Sequence, residues 1–198
     1  MNPDARNKKI GRGLKRIGVF AVVFLSCLLA SVLLWQRSKP VQGQERPALR
    51  LRSSSFPNDG MIPRRYTCDG ANLSPQLHWQ SAPTGTKSFA IVADDPDAPI
   101  DFTHWLAWNI APGLREIAEG ASQQGVMPQG SAEGRNNFGR LGYGGPCPPP
   151  GNPHHYVFRV YALDLLLDLP PGATRRQLDA AMDRHIVGWG QIVGIYQR

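Results

Sequence analysis

From Ala48 onward the chain has no net charge: thirteen Lys and Arg stand against thirteen Asp and Glu. The formal charge of +7 therefore sits in residues 1–47, which carry nine basic and two acidic side chains. A domain without a basic field has little to attract a polyanion, which argues against nucleic acid as a partner. Cysteine is scarce, with only Cys27, Cys68 and Cys147. There is no Gly-Lys-Ser phosphate loop, no His-Glu-x-x-His pair and no Gly-x-Ser-x-Gly nucleophile elbow. Those absences remove the common nucleotide, zinc-protease and serine-hydrolase readings, and no cofactor is expected. Internal repeats are also missing.

What the first residues do hold is a pattern. Arg6, Lys8, Lys9, Arg12, Lys15 and Arg16 precede an uncharged run from Ile17 to Trp35. At about 1.5 Å per residue that run nearly matches a hydrocarbon core of about 30 Å. It exceeds the roughly 7–15 apolar residues of a secretory signal, and Leu33-Leu34-Trp35-Gln36-Arg37 offers no small-residue cleavage site. We read 17–35 as an uncleaved single-pass transmembrane anchor, with a cleaved signal as the alternative. The basic residues before the run outnumber Arg37 and Lys39 after it. Residues 1–16 are thus expected to stay cytoplasmic and the domain to face the periplasmic or extracytoplasmic side. Residues 36–47 read as a linker and 48–198 as one domain, long enough for a real hydrophobic core. An exported domain permits a disulfide between Cys68 and Cys147; two separate thiols are the alternative.

Within the domain, short apolar or alternating runs recur between turn signals. Leu49 to Arg52, Leu77 to Trp79, Lys87 to Ala93, His104 to Ile110, His154 to Leu163 and Gly188 to Tyr196 read as strands. Period two places His104, Leu106, Trp108 and Ile110 on one face, and Trp105, Ala107 and Asn109 on the other. A strand so apolar on both faces should be covered on both sides. His154, Tyr156, Phe158 and Val160 likewise share a face, opposite His155, Val157, Arg159 and Tyr161. Leu114 and Ile117 are spaced for one helical turn. A helix is predicted from Arg175 to about His185, with Thr174 as N-cap and Leu178, Ala181 and Met182 as its apolar stripe. Residues 131–151 hold six glycines and four prolines without periodicity, and read as an ordered functional loop. These elements add up to a mainly β domain, most simply a sandwich.

The chemistry gathers at strand ends. The apolar run Phe89 to Ala93 leads into Asp94-Asp95-Pro96-Asp97-Ala98-Pro99. Proline lacks the N–H a ladder needs, so the strand stops and its carboxylates enter a stiff loop. His104 and His154 begin two other strands, the second just after the Gly139 to Gly151 loop. Asp95, Asp97, His104, His154 and Tyr156 are the candidates. Two imidazoles and a carboxylate can ligate a divalent metal. They can equally hold a phosphate by hydrogen bonds, with glycine-loop N–H groups approaching the anion. Alone, an Asp-Pro-Asp stretch is a turn and a histidine at a strand start is a polar end residue; His78, His155 and His185 are read that way. Together the pieces point to one small pocket for an anionic ligand.

These segments also carry a resemblance. Asp94 to Pro99, His104-Trp105-Leu106-Ala107-Trp108-Asn109, Gly142 to Gly151 and His154-His155-Tyr156 resemble the phosphatidylethanolamine-binding protein family. With Ile62 to Gly70 and Ser74-Pro75, the likeness is strongest to its prokaryotic Raf kinase inhibitor-like branch and runs from about Ser53 to the C-terminus. It implies a β-sandwich of two antiparallel sheets, one or two short helices, and a small anion pocket at one edge. It implies pocket residues Asp95, Asp97, His104, His154 and Tyr156, with Pro99 shaping the first loop and Gly145 and Pro146 the second. Members bind phosphorylated head groups, phosphate or acetate-like anions there, and some eukaryotic members inhibit kinases or proteases. Two departures follow from the sequence. The C-terminal helix that gates the pocket in animal members is not expected, which weakens an expectation of phospholipid selectivity. The anchor is unlike typical prokaryotic members and argues against a cytosolic kinase as target.

The leading expectation is a non-catalytic binding module for a small anion or phosphorylated head group. In it His104 and His154 donate to the anion, Asp95 and Asp97 orient the imidazoles or accept from an amine, and Tyr156 and the Gly144–Pro146 loop close the wall. A second is an inhibitor or partner of an exported protease or other envelope protein; a third, least favoured, is a metal-dependent hydrolase using Asp95, His104 and His154. The resemblance also allows a homodimer.

Overall fold

The computed structural model describes residues 49–122 and 125–198. The expected segments 1–16, 17–35 and 36–47 lie outside the described residues. Among the described residues, no helix is long and apolar enough to cross a membrane.

The alternating and apolar runs become strands β1 (Arg50–Arg52), β2 (Gly60–Met61), β3 (Leu77–Gln80), β4 (Ser88–Asp95) and β5 (Phe102–Ile110). They continue as β6 (Glu116–Ile117), β7 (Ala132–Glu133), β8 (His154–Leu163) and β9 (Ile186–Tyr196), with helix α1 (Arg175–Met182) before β9. One sheet has the order β1-β3-β6 and the other β2-β9-β8-β4-β5-β7. The described domain is thus mainly β with one α-helix. Its pairs are antiparallel except β2 with β9, which is parallel. This corrects the expectation of two antiparallel sheets: β2 is a two-residue edge segment whose direction no hairpin dictates. A second correction concerns Leu114 and Ile117. Instead of a helical turn, Glu116 and Ile117 extend along β3, with Ile117 opposite Leu77. Helix α1 is shorter than expected, ending at Met182, but its start is as read. Thr174 caps it, and Gln177 completes a reciprocal capping box.

Two apolar layers flank the large sheet. Trp79, Phe89, Trp105, Tyr156 and Phe158 fill the space between the sheets, while Val92, Leu106, Trp108, Leu178 and Met182 pack between the large sheet and α1. Strands β4 and β5 are therefore covered on both faces.

The simple alternation of β5 fails at two places. Opposite β4, Ala93 pairs with Trp105 but Asp94 with Thr103, which leaves His104 as an extra residue. Likewise Phe89 pairs with Ile110 and Ile91 with Ala107, and Asn109 there has a positive φ of 58°. A bulge places two residues against one and re-aims side chains. Hence Ile110 joins Trp105 in the inter-sheet layer while Leu106 and Trp108 face α1. His104 likewise sits with its ring 5.1 Å from that of inter-sheet Tyr156. Strand β8 keeps the expected alternation.

Candidate functional site

The end of β4 divides two adjacent carboxylates between opposite sides of the sheet. Asp94 faces α1, where it bonds Thr103, Arg159 and Arg175; Arg175 also bonds Asp179. Asp95 faces the other way. One of its oxygens accepts from the Asp97 and Ala98 N–H groups at 2.9 and 3.1 Å, which turns the chain sharply after the strand. The other lies 2.8 Å from His154 Nδ1. Because a carboxylate only accepts, Nδ1 carries the proton, and Nε2 is the atom His154 has left for a ligand.

His104 is fixed by different means. Its Nδ1 donates to the Gly144 carbonyl at 2.6 Å, and the Gly144 N–H returns a bond of 2.8 Å to the His104 carbonyl. Again Nε2 is left. The ring is 3% exposed and enclosed edge-on by Phe138 and Tyr156, with Phe102 tilted beside it. Burial lowers its pKa below the usual histidine range, opposed by the Gly144 carbonyl and the Asp95 charge. At neutral pH the ring is therefore uncharged and presents Nε2 as an acceptor.

Both histidines border a cavity of about 230 Å³, walled also by Asp95, Pro99, Phe102 and Phe138, with Cys147, Pro148 and Pro149 from the glycine–proline loop. This volume is below the range usual for drug-sized ligands and suits a small one. Tyr156 stands behind both imidazoles and is 1% exposed. Burial, then the Asp95 charge, hold that phenol well above its ordinary pKa, so it is a neutral O–H.

The remaining sequence candidates stand outside this cavity. Asp97 accepts from both the backbone N–H and Nδ1 of His155, each at 2.7 Å, and these bonds lower its pKa. His155, read as a bland end residue, is thus the partner that takes Asp97. Gly145 donates its N–H to Asn72 Oδ1, and Pro146 accepts from the Cys68 N–H. A Cβ on Gly145 would lie 2.3 Å from the Tyr66 carbonyl oxygen, so only glycine fits. Cys68 and Cys147 are joined in a disulfide, with Cα atoms 5.4 Å apart. The apolar walls escape the sequence reading: Phe102 lies just before the His104 run, and nothing in the aperiodic loop marks Phe138 or Pro148 as turning inward. Among the described residues, no three His, Cys, Asp or Glu side chains group to hold a metal ion, and Asp95 and His154 spend donor atoms on each other.

Comparison with known proteins bears on the family and the fold. Residues 52–197 match the family model for phosphatidylethanolamine-binding protein. A UPF0098 protein of Pyrococcus horikoshii is 49% identical over 160 residues, 79% of this chain and 80% of that one. A Mycobacterium tuberculosis protein named as the lipoprotein LppC is 40% identical over 75% of this chain and 72% of its own length. Among solved structures, Escherichia coli YbcL, described as a member of the mammalian PEBP family, superposes with a TM-score of 0.73 at 30% identity. That match covers 76% of this chain and 98% of YbcL. A homologue from Chlamydia trachomatis gives 0.69 at 35% identity, with the same coverage of both chains. The chain belongs to the phosphatidylethanolamine-binding protein family.

Proposed function

We propose that this domain binds a small anion or a phosphorylated head group between His104 and His154, at the cell envelope. The observation that carries the reading is that each imidazole commits Nδ1 to the protein and keeps Nε2 at one small cavity. Two ring nitrogens fixed in this way can grip a tetrahedral or carboxylate anion. His154 is oriented by Asp95, and His104 donates once the anion brings it a proton. The site binds without turnover. In support, its wall carries no hydroxyl side chain, and the one sulfur there, on Cys147, is tied in the disulfide. An envelope location is supported by the lipoprotein name of the mycobacterial relative, by the disulfide, and by the basic and apolar pattern of residues 1–35.

Calorimetric titration of the full chain with inorganic phosphate and with phosphoethanolamine tests the reading. Saturable binding of either, weakened at least about tenfold by His154→Ala, is the expected result for a lost charge-assisted contact. Absence of binding by both ligands would refute it and turn attention to a protein partner.

A further inference from the structure

Phe138 and Cys147 form a wall with a hollow on each side. Beyond them lies a second cavity of about 460 Å³, lined among others by Asn72, Arg140, Leu141 and Gly145. Both cavities touch Phe138 and Cys147, so they are neighbours across one partition. Phe138 is a low partition rather than a seal. Its ring lies on Gly144, whose Cβ would come within 2.5 Å of it, and is held edge-on by Phe102 and His104. Yet it remains 41% exposed, and Leu141 beside it is 57% exposed. A large apolar side chain held in water at a cavity rim marks a place where a ligand gains by covering it. Arg140 adds charge to the same hollow. Among the described residues it forms no salt bridge, whereas Arg135 nearby is spent on the Gly139 carbonyl.

We propose that this second cavity is a subsite for the organic part of a phosphate monoester, which lies over Phe138 with its phosphate between His104 and His154. The partition chooses the chemistry. A flat aromatic substituent covers Phe138 and Leu141 best, since offset or edge contacts between rings are favourable. A carboxylate at the far end of that substituent meets Arg140, whose planar fork matches it. The subsite thus selects an aryl phosphate carrying a carboxylate over the bare anion. This inference rests on the anion reading of the histidine cavity.

Three probes separate the two ideas: inorganic phosphate, phenyl phosphate and 4-carboxyphenyl phosphate, titrated by calorimetry into the full chain in a non-ionic detergent. Phenyl phosphate is expected to bind about tenfold more tightly than phosphate, the gain from covering roughly 50 Å² of apolar surface. The carboxylate is expected to add about threefold, as an exposed ion pair does. Leu141→Ser should remove most of the ring's gain, and Arg140→Gln only the carboxylate's, while inorganic phosphate binds both variants as it binds the parent. If phosphate binds but the esters bind no tighter, or keep their advantage in both variants, the subsite is refuted and the histidine pocket stands. If none of the three binds, the anion reading falls and the subsite with it.

Discussion

His104 and Gly144 hold each other by two hydrogen bonds, Nδ1 to carbonyl at 2.6 Å and backbone N–H to carbonyl at 2.8 Å. This pair ties the glycine–proline loop to the bulge in β5, and it fixes the histidine tautomer. Since a carbonyl cannot donate, Nδ1–H is forced, and the buried ring stays neutral with Nε2 as acceptor.

A pH dependence follows. The folded-state pKa of His104 is lowered, whereas an unfolded histidine titrates near about 6.5. Below about pH 6.5 the unfolded chain takes up a proton that the folded chain refuses, so His104's contribution to stability falls with pH until its lowered folded value is reached. An anion at Nε2 favours the charged ring and reverses this preference. Sulfate, which does not titrate in this range, should therefore bind more tightly as pH drops from 7.5 to 5.5, by at most about tenfold per unit for one linked proton. His104→Gln should lessen the slope. A flat profile in the parent protein would contradict the linkage.

Asp95 has two tasks, turning the loop and orienting His154. Asp95→Ala leaves two N–H groups and an imidazole without their acceptor and is expected to cost about 2–3 kcal/mol in urea denaturation. It should also weaken phosphate binding. Asp97→Ala, which loses only a half-exposed pairing with His155, should change phosphate affinity less than about threefold. Equal losses in the two variants would show that the cavity is not organised by Asp95.

The disulfide closes a sequence separation of 79 residues and joins the Thr67–Gly70 turn to the pocket wall. Replacing both Cys68 and Cys147 by serine should lower stability by about 3–4 kcal/mol. The loop keeps its bonds to His104, Asn72 and Tyr66, so phosphate affinity should persist below the new unfolding transition. Denaturation curves unchanged by a reducing agent would contradict the first expectation.

Asn109 marks the second bulge. Its amide bonds the Leu167 carbonyl and N–H at 2.9 and 2.8 Å, while its backbone holds φ at 58°. Asn109→Ala loses both bonds and strains the turn; Asn109→Gly loses the bonds alone. Thermal unfolding should place the alanine variant lower by about 1 kcal/mol, the usual cost of a Cβ in that region. The reverse order would mean the bulge relaxes without cost.

The legible part of the fold was the part written as apolar runs. Phe89 to Ala93 and His154 to Leu163 need no partner to declare themselves strands, and Thr174 before the stripe of Leu178, Ala181 and Met182 announces α1. The bulges were illegible because an extra residue in β5 exists only relative to β4. His104 reads as the first member of a regular alternation and is instead the residue that breaks it. Segments β6 and β7, two residues each, are defined wholly by their neighbours. Around the cavity, Asp95, His104 and His154 stand out in the sequence as ionisable groups at strand ends, whereas the apolar walls carry no such mark. Asp97 illustrates the limit: its spacing from Asp95 fits a shared pocket, but His155 stands closer and takes its carboxylate.

The most direct test is nitrogen-15 NMR of the imidazoles of His104 and His154 near pH 7 during titration with inorganic phosphate. The expected spectrum of the free protein has His104 with its proton on Nδ1, and added phosphate shifts Nε2 of both rings along one saturable curve. Shifts confined to His78, His155 and His185, with His104 and His154 unmoved, would contradict the claim that these two rings hold the anion.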